Sequence, residues 1–517
     1  MKNSCRVNYK NGSAAKKIVF LALGVKNVVN SAMDKIKFFF TFFLLFSFII
    51  NGFGQVSPLD SNRYIPARKP LVNRFGKTPV DLLISGGSIV TMNDKHEIIE
   101  DGAVAISDGA IFLVGKRVEV AKQVIPRRTI LVAGKAIIPG LINTHTHAAM
   151  SLFRGISDDL DLQDWLTKFI FPAEAKNVNE QFVRAGTRLA LAEMIRGGTT
   201  TYCDMYYFED AVAEETKNAG MRGVLGETII QFPVADNKTP EEAIRYTERF
   251  IRKWKGDPLI IAAFAPHAPY TVATGDLMTI RKSSDELNAP VIIHVAETKK
   301  ERDDIKKQYG ATPMKYLSDI GFLSNRTIAA HTIWITDEEI DIMKRLGVGS
   351  AHNPQSNMKL ASGVAPVPAM LASDVAVGLG TDGAASNNDL NMWEEMDTAA
   401  KLHKLISNDP KTLPAEQVFE MATIRGARAL HLDAITGSIE TGKRADIAIV
   451  DLDSLNQTPY FNIYSALVYS TKAADVRTVI INGRVVMLDR RLLTLNENAI
   501  KKDANAYRKK IILSLKN

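Results

Sequence analysis

The chain has 517 residues, of which 46% are hydrophobic and 23% charged, a composition that is ordinary for a globular protein with a sizeable core. Its formal net charge of +7 lies entirely in residues 1–54, because the remainder has 56 basic and 56 acidic residues. The neutral remainder excludes the basic footprint of a nucleic-acid-binding protein, so we expect a small-molecule partner and no nucleic acid.

The first predicted element is an export signal that begins at Met33. Two lysines precede a 13-residue apolar run, Phe38–Ile50, which has the length of a signal-peptide core and is too short for a membrane span. Small residues stand immediately before a predicted signal-peptide cleavage site, which lies after Gly54. We expect translation to start at Met33, residues 1–54 to comprise an upstream segment and a signal peptide, and the mature protein to be periplasmic without stable membrane association. An uncleaved anchor is the alternative.

Residues 55–80 are polar, contain prolines and are predicted to be a linker. Residues 81–138 consist of short apolar runs broken by Gly and Asp, which is typical of hairpin-rich β-structure. Similar runs return at 434–490, where Asn482-Gly483 predicts a two-residue hairpin turn. The two segments together predict a small β-sandwich domain built from both chain ends.

Between these segments, residues 139–433 alternate short apolar runs with longer helical patterns. Eight such runs occur, and they have the continuous apolar character of parallel strands that are buried on both faces. Eight strand-and-helix units predict an α/β fold with a TIM (β/α)8 barrel. Residues 491–517 are predicted to form a C-terminal helical tail.

The chain has two cysteines, Cys5 and Cys203. Only Cys203 remains after the predicted cleavage, so an intramolecular disulfide is excluded. Cys203 lies in the apolar run TTTYCDM, and we interpret it as a buried structural residue rather than a nucleophile.

Six of the nine histidines lie at the ends of predicted barrel strands, and an aspartate ends the eighth strand. These residues are His145, His147, His267, His294, His331, His352 and Asp382. The carboxyl ends of barrel strands converge on one face, where active sites are built. A random scatter of histidines would not favour one end of five strands. The other three histidines fall elsewhere and receive no role.

His145 and His147 are two residues apart on one strand, so both imidazoles can face one metal ion. His294 and Asp382 can complete a site for Zn²⁺ or a similar divalent ion, leaving a position for water. Such an ion lowers the pKa of the water toward neutrality and makes it nucleophilic. A His-x-His pair alone more often has a structural role, and the residues at other strand ends are what favour the metal site.

Several other catalytic motifs are missing. The chain has no His-Glu-x-x-His, which excludes a zincin protease, and no Pro-Cys-x-x-Cys, which excludes the small zinc deaminases that flip bases. It also has no Gly-x-Ser-x-Gly or Walker loop with the required flanks.

Four long motifs occur in order: PGLINTHTHAAMSLFRGISDDLDLQDWL, HVAET, AHNPQSNMKLASGVAP and GLGTDGAASNN. They resemble the amidohydrolase superfamily and, within it, the methylthioadenosine/S-adenosylhomocysteine deaminase group, over about residues 80–490. The resemblance implies that His145, His147, His294 and Asp382 bind the metal. His267 stands where the dinuclear branch has a lysine, which indicates one divalent ion, Zn²⁺.

The resemblance also implies catalytic and substrate-binding residues. Glu297 corresponds to the acid/base that hands a proton to a ring nitrogen, and His331 to the residue that orients the attacking water and assists with Asp382. Glu174 corresponds to a position that holds ribose hydroxyls, and His267 to one that contacts base or sugar. Two alternatives stay open: Glu174 as a first-turn helix acid and His267 as a support for a metal ligand. Trp165 is either a pocket wall or a core aromatic residue.

One stretch departs from the group pattern. The group has two arginines, after the third strand and at the start of the next helix, that can clamp the carboxylate of a homocysteine tail. Here no arginine lies between Arg222 and Arg245, and Arg245 and Arg249 fall within a predicted helix. We therefore expect a neutral substrate tail to be preferred over one that bears a carboxylate.

Together these patterns predict a metal-dependent hydrolase that deaminates a small heteroaromatic, adenosine-like substrate. The first alternative is an amidohydrolase acting on another cyclic C–N or C–Cl substrate, such as a pterin, triazine or cyclic amide. The second is a non-catalytic periplasmic protein that binds metal or ligand, which the presence of Glu297 and His331 disfavours. The sequence leaves open whether the protein is a homo-oligomer.

Overall fold

The computed structural model describes residues 76–516, so the predicted export signal and most of the predicted linker lie outside the described residues. The described residues form a nine-stranded mixed sheet and an eight-stranded parallel sheet. In this part of the chain, no helix combines the length and apolar character needed to cross a membrane.

The mixed sheet is built from both ends of the described chain, as predicted. Its strands are β1 (Thr78–Val90), β2 (Ile98–Ser107), β3 (Ala110–Lys116), β4 (Val124–Leu131), β5 (Lys135–Pro139), β14 (Ile447–Asp451), β15 (Val476–Ile481), β16 (Arg484–Leu488) and β17 (Arg491–Leu492). Antiparallel pairing of β5 with β14 joins the two ends. The sheet is mixed because β4 and β5 run parallel to β1. A short helix, Arg117–Gln123, leads from β3 to β4 and was not anticipated from the sequence.

The predicted hairpin turn joins β15 to β16. Ile481 pairs with Arg484, which leaves Asn482 and Gly483 as the two turn residues. Both lie in the left-handed region, with φ of 48° and 76°. Two positive φ values are what a type I′ turn requires, and Asn-Gly accepts them at low cost.

The parallel sheet is a nearly closed barrel, and each of the eight predicted apolar runs contains one of its strands. They are β6 (Leu141–Thr146), β7 (Thr199–Tyr206), β8 (Arg222–Ile229), β9 (Ile260–Pro266), β10 (Val291–Val295), β11 (Thr327–His331), β12 (Gly349–His352) and β13 (Val377–Leu379). Every residue of these strands is buried. Burial on both faces explains why the strands show continuous apolar runs rather than alternation.

Helices connect the strands and cover the barrel. Those between β6 and β13 are Leu162–Asp164, Phe171–Asn177, Glu180–Gly197, Glu209–Ala219, Pro240–Trp254, Thr274–Leu287, Lys299–Tyr309, Pro313–Asp319, Asp337–Leu346, Pro354–Lys359 and Val367–Ala372. Those after β13 are Met392–Ser407, Ala415–Met421, Ile424–Ala429, Ile463–Ser465 and Glu497–Lys516. Single turns of 3₁₀ or π geometry occupy Ala148–Phe153, Trp165–Ile170, Ala466–Ser470 and Ala473–Asp475.

The helix Asp337–Leu346 illustrates how local sequence sets these boundaries. The hydroxyl of Thr336 accepts from the backbone N–H of Glu339, and the Glu339 carboxylate accepts from the N–H of Thr336. This reciprocal cap begins the helix. Gly347, with φ of 68°, ends it in the left-handed conformation that glycine adopts without strain.

The seam between β13 and β6 closes the barrel. The backbone N–H of Asp382 donates to the carbonyl of His145 at 2.9 Å. The Asn143 side chain accepts from the backbone N–H of Thr381 at 3.0 Å and donates to its hydroxyl at 2.7 Å. A Cβ on Gly380 would lie 2.8 Å from the backbone nitrogen of His145, so this approach requires glycine. The seam therefore places Asp382 beside the histidines of β6.

Candidate metal centre and active site

His145, His147 and Asp382 meet across the seam at the carboxyl ends of the strands. The Nε2 atoms of His145 and His147 lie 3.6 Å and 3.3 Å from Oδ1 of Asp382. Two ligands of one tetrahedral Zn²⁺, each bound at about 2.1 Å, would be roughly 3.4 Å apart. The spacing therefore fits ligands of a single ion.

His145 offers the clearest evidence for an ion. Its side chain is fully buried, and neither ring nitrogen has a hydrogen-bond partner. A buried polar atom without a partner is costly, and a metal bond at Nε2 would compensate. The ligand atoms of His145, His294 and His331 also lie within 4.8 Å of one another, so His294 belongs to the same cluster.

The hydrogen bonds of the ligands hold their rings in the form that binds metal. Nδ1 of His147 donates to the carbonyl oxygen of Met205 at 2.7 Å, and Nδ1 of His294 donates to that of His267 at 2.7 Å. Because a carbonyl only accepts, each Nδ1 carries the proton and each Nε2 keeps a free lone pair.

The electrostatics of the cluster separate neutral from charged groups. Burial and neighbouring imidazoles hold the pKa of His145 and His294 well below the usual value, so both are neutral. Burial opposes a charge on His147, but the hydrogen bond and charge of Asp382 raise its pKa to about 9. Burial likewise opposes ionisation of Asp382, yet the adjacent histidines hold its pKa well below the usual range. Asp382 is therefore an anion. A divalent cation can take the place of the proton that Asp382 stabilises on His147.

Asp382 is also fixed by neighbours on its other side. The hydroxyl of Ser356 donates to its Oδ2 at 2.6 Å, and the backbone N–H of Gly383 donates to its Oδ1 at 2.7 Å. These bonds orient the carboxylate toward β6. Ser356, in the helix Pro354–Lys359, could not be identified from the sequence, because a single serine has no spacing that marks it.

Glu297 and His331 lie beside the ligand cluster. Glu297 is buried, which raises the pKa of its carboxyl, and its Oε2 lies 3.9 Å from Nε2 of His331. Nδ1 of His331 lies 2.9 Å from Oδ1 of Asn357 and 3.3 Å from Nδ2 of Asn353, and these contacts leave Nε2 as the ring nitrogen that faces Glu297. The structure thus brings the predicted catalytic residues Glu297, His331 and Asp382 together.

Glu301 holds Glu297 in place and was missed by the sequence analysis. Its two carboxylate oxygens accept from the backbone N–H groups of Ala296 and Glu297, each at 2.8 Å. The hydroxyl of Thr298 accepts from the backbone N–H of Glu301 and thereby caps the helix Lys299–Tyr309. The Thr-x-x-Glu spacing is the capping-box pattern, which could have indicated this arrangement from the sequence.

Three non-glycine residues at strand ends lie in the left-handed region. The φ values are 54° for Ala296, 72° for His331 and 61° for Asp382. Each such residue costs about 1–3 kcal/mol and persists where the surroundings fix it, which is common at functional sites. The sequence did not predict these bends, because glycine or asparagine normally marks them.

Asp204, on β7, fixes the strand that carries His147. Its side chain is fully buried, and Oδ1 accepts from the hydroxyl of Thr146 and from the N–H of Ala148, each at 2.7 Å. These two residues flank His147, whose ring is bonded to the carbonyl of Met205. The sequence analysis missed Asp204 because it lies inside an apolar strand.

The predicted substrate residues line the same cavity as the metal ligands. Glu174 is buried, and its carboxylate accepts from the hydroxyl of Tyr206 at 2.7 Å. Burial raises the pKa of Glu174 to about 7. His267 also faces the cavity, while its carbonyl oxygen supports His294. Trp165 forms part of the wall, and its Nε1 is a buried donor without a partner.

Two further predictions concern residues outside this cavity. Cys203 is buried and free, as expected for a structural residue. His352 also ends a strand, but its Nε2 lies 3.2 Å from that of His403 and neither residue lines the cavity.

Comparison with known proteins agrees with this arrangement. The chain is 45% identical over 437 residues to a 5-methylthioadenosine/S-adenosylhomocysteine deaminase 1 of Syntrophus aciditrophicus, covering 84% of this chain and 99% of that protein. It is 42% identical over 435 residues to a 5′-deoxyadenosine deaminase of Methanosarcina mazei, covering 84% and 98%. The crystal structure of an adenosine deaminase from Xanthomonas campestris with bound zinc superposes with a TM-score of 0.83 at 40% identity, covering 84% of this chain and all of that one.

The resemblance noted in the sequence is confirmed. Residues 136–486, well over half of the chain, match the model of the amidohydrolase family. That span begins within β5, includes the whole barrel and ends within β16. This protein belongs to the amidohydrolase family.

Proposed function

We propose that the protein is a zinc-dependent hydrolase that deaminates an adenosine-like nucleoside. The observation that carries this proposal is a single cavity lined by metal ligands, by the buried acid Glu297 and by the buried carboxylate Glu174. Relatives that are named for deaminating adenosine derivatives support it, because they are 42–45% identical over at least 98% of their own lengths.

We propose one Zn²⁺ per chain, held by His145, His147, His294 and Asp382. When bound, the ion supplies a Lewis acid and lowers the pKa of a water molecule toward neutrality. No lysine ends β9, where His267 stands instead, so the bridging ligand of a metal pair is missing there. The zinc in the Xanthomonas campestris deaminase supports this choice of metal.

The residues around the ligands divide the proton transfers between two carboxyl groups. Asp382, held as an anion, accepts a proton from the attacking water. Glu297, whose carboxyl pKa is raised by burial, donates a proton to the ring nitrogen next to the carbon under attack. His331 holds the water through Nε2. The water oxygen becomes bonded to the amino-bearing carbon, and the proton held by Asp382 then passes to the amino group. The carbon–nitrogen bond breaks to release ammonia, while the remaining hydroxyl proton returns to Glu297 as the carbonyl forms.

The part of the cavity around Glu174 would hold the sugar. An ionised Glu174 can accept hydrogen bonds from two adjacent ribose hydroxyls, and the Tyr206 hydroxyl fixes its orientation. The free Nε1–H of Trp165 offers a donor to the base or sugar. A substrate without ribose, such as a triazine, would offer Glu174 no pair of sugar hydroxyls to bind.

The test is an ammonia-release assay with the zinc-loaded protein on adenosine, 5′-methylthioadenosine, an aminopterin and an aminotriazine. We expect both nucleosides to be deaminated. Turnover confined to the pterin or the triazine would overturn the proposal and favour the alternative hydrolase function. Release of ammonia by none of them, in protein that contains the metal, would favour the non-catalytic alternative.

We also propose that the protein is exported to the periplasm and acts there on small molecules without a nucleic-acid partner. The basic, apolar and small-residue pattern of residues 33–54 and the neutral charge balance of the remainder support this. Cell fractionation with amino-terminal sequencing of the mature protein is the test. Cytoplasmic protein with an intact amino terminus would contradict it.

A further inference from the structure

A second pocket adjoins the active-site cavity next to Glu174. Both are lined by Phe171, Glu174 and Tyr207, whereas His147, His294 and Asp382 line only the first. We call the second one the outer pocket; Ala175 and residues 232–235 complete its lining. The metal centre, Glu174 and the outer pocket therefore follow one another in that order.

The lining of the outer pocket is apolar apart from Glu174 and the Tyr207 hydroxyl. Phe171, Ala175 and the segment Phe232, Pro233, Val234 and Ala235 contribute the remaining surface. Among the described residues, no lysine or arginine lines this pocket. Arg249, in the helix Pro240–Trp254 that follows this segment, lies over the ring of Tyr246 at 6.0 Å.

The surroundings of this pocket disfavour an added negative charge. Burial and the carboxylates of Glu174, Asp236 and Glu227 raise the pKa of Tyr207 well above its usual value. Burial and Asp236 likewise raise the pKa of Glu227 well above the usual value for a glutamate. No ion pair with lysine or arginine relieves Glu227 or Asp236 within residues 76–516. A substrate carboxylate placed here would meet the same unfavourable environment.

We infer that the outer pocket receives the 5′ substituent of the nucleoside and selects small, uncharged, apolar substituents over a charged amino-acid tail. This inference rests on the proposed function. If the amino-bearing carbon lies at the metal and the ribose hydroxyls at Glu174, the group on the 5′ carbon is the part that extends into the outer pocket. A methyl or methylthio group buries apolar surface there. A carboxylate would lose water without a fixed partner.

The test compares kcat/KM for 5′-methylthioadenosine, 5′-deoxyadenosine and S-adenosylhomocysteine in the zinc-loaded full-length protein. We expect the first two values to exceed the third by about tenfold or more, which is the scale of discrimination a pocket of this kind provides. Equal values or a preference for S-adenosylhomocysteine would overturn the inference and leave the proposed function intact. Deamination of no nucleoside would instead overturn the proposed function.

A positive charge introduced at the rim of the outer pocket tests whether this pocket sets the preference among 5′ substituents. Phe232 is 38% exposed, so Phe232→Arg adds a cation without burying it. We expect the ratio of kcat/KM for S-adenosylhomocysteine to that for 5′-methylthioadenosine to rise in this variant. Phe232→Leu should keep the wild-type order, and Leu131→Arg, at a site 79% exposed on the mixed sheet, controls for added charge.

Ala235→Lys, at another exposed position of the lining, repeats the test if Phe232→Arg does not fold. A rise in the ratio in either lining variant, and not in Leu131→Arg, supports the assignment. An unchanged ratio in folded lining variants, or an equal rise in the control, would overturn it.

Discussion

At the scale of single residues, two buried carboxyl groups of the site differ because their neighbours differ. Asp382 contacts two histidines, a hydroxyl and a backbone N–H, all of which stabilise its anion. Burial is the largest influence on Glu297 and raises its pKa, although His331, whose Nε2 lies 3.9 Å from Oε2 of Glu297, opposes the rise. The environment therefore assigns the acid to Glu297 and the base to Asp382.

The first prediction concerns Glu297→Gln. The amide can still form hydrogen bonds but cannot transfer a proton, so we expect kcat to fall roughly 10²–10⁴-fold while the metal is retained. Steady-state kinetics and elemental analysis of the same sample measure both quantities. His145→Ala is the contrasting variant, because it should lose metal and activity together. A near wild-type kcat in Glu297→Gln would show that another group supplies the proton.

The second prediction concerns the pH dependence of substrate binding through Glu174. Burial raises the pKa of this carboxyl to about 7, and only its ionised form can accept bonds from two sugar hydroxyls. The ionised fraction increases above the pKa, so KM should decrease as the pH rises through about 7. Glu174→Gln should have a higher KM without this step. A step of equal size in both proteins would assign the titration to a different group.

At the scale of elements, β7 acts as the support for the metal-binding end of β6. The Asp204 carboxylate bonds to residues on both sides of His147, and the Met205 carbonyl bonds to the ring itself. Groups that orient a metal ligand in this way tune affinity without touching the metal.

The third prediction follows from this support. Asp204→Ala leaves the Thr146 hydroxyl and the Ala148 N–H without their shared acceptor, so we expect metal affinity to fall about 10–100-fold. Asp204→Asn keeps one oxygen that can accept both bonds and should restore most of the affinity. Competition with a chromophoric chelator measures the change. Equal affinities for wild type and Asp204→Ala would mean that the Met205 bond alone positions His147.

At the scale of the whole molecule, a buried ion pair links the barrel to the mixed sheet. Nε of Arg222, at the start of β8, donates to Oδ2 of Asp446 at 2.9 Å, and Nη1 donates to the carbonyl of Pro258 at 2.7 Å. Asp446 also accepts from the N–H of Asn482. Both side chains of the pair are at most 1% exposed.

The fourth prediction is that Asp446→Ala destabilises the protein by about 3–5 kcal/mol, because it leaves a buried guanidinium without its anion. Urea unfolding at constant metal concentration measures the change. The double variant Arg222→Met, Asp446→Leu should recover much of the loss, since it removes both charges. The turnover of folded Asp446→Ala should stay near wild type, as the pair does not line the cavity. A decrease in the free energy of unfolding smaller than that expected for loss of an exposed ion pair would contradict the role of the Arg222–Asp446 pair.

The fifth prediction concerns removal of the metal. An ion bound only by the folded state stabilises it, by about 4 kcal/mol when present at a thousand times its Kd. Protein purified without chelator should contain about one Zn²⁺ per chain, and chelation should lower both Tm and activity. Zinc added back should restore them. Two metals per chain, or an unchanged Tm after complete removal, would contradict a single structural and catalytic ion.

Much of the barrel and its metal ligands could be predicted because the relevant information is local. A strand buried on both faces has to be apolar along its length, so β6 to β13 were recognisable as runs. His145 and His294 lie near the carboxyl ends of such runs and Asp382 follows one, and the parallel topology brings all strand ends to one face. Asp204 could not be assigned in this way, since its partners, the Thr146 hydroxyl and the Ala148 N–H, lie more than fifty residues away in the chain and meet it only in the folded protein.

By itself, the sequence determined the alternation of strands and helices, the polar residues at the strand ends and the family, since each depends on residue type and order. The tertiary structure decided which of these residues meet. Closure of β13 onto β6 sets the spacing of His147 and Asp382, and the outer pocket joins Phe171, on a helix, to Phe232, on a loop. The physical reason is that hydrogen bonds, pKa shifts and pocket shape depend on distances of a few ångströms between segments far apart in the chain, and only packing fixes those distances.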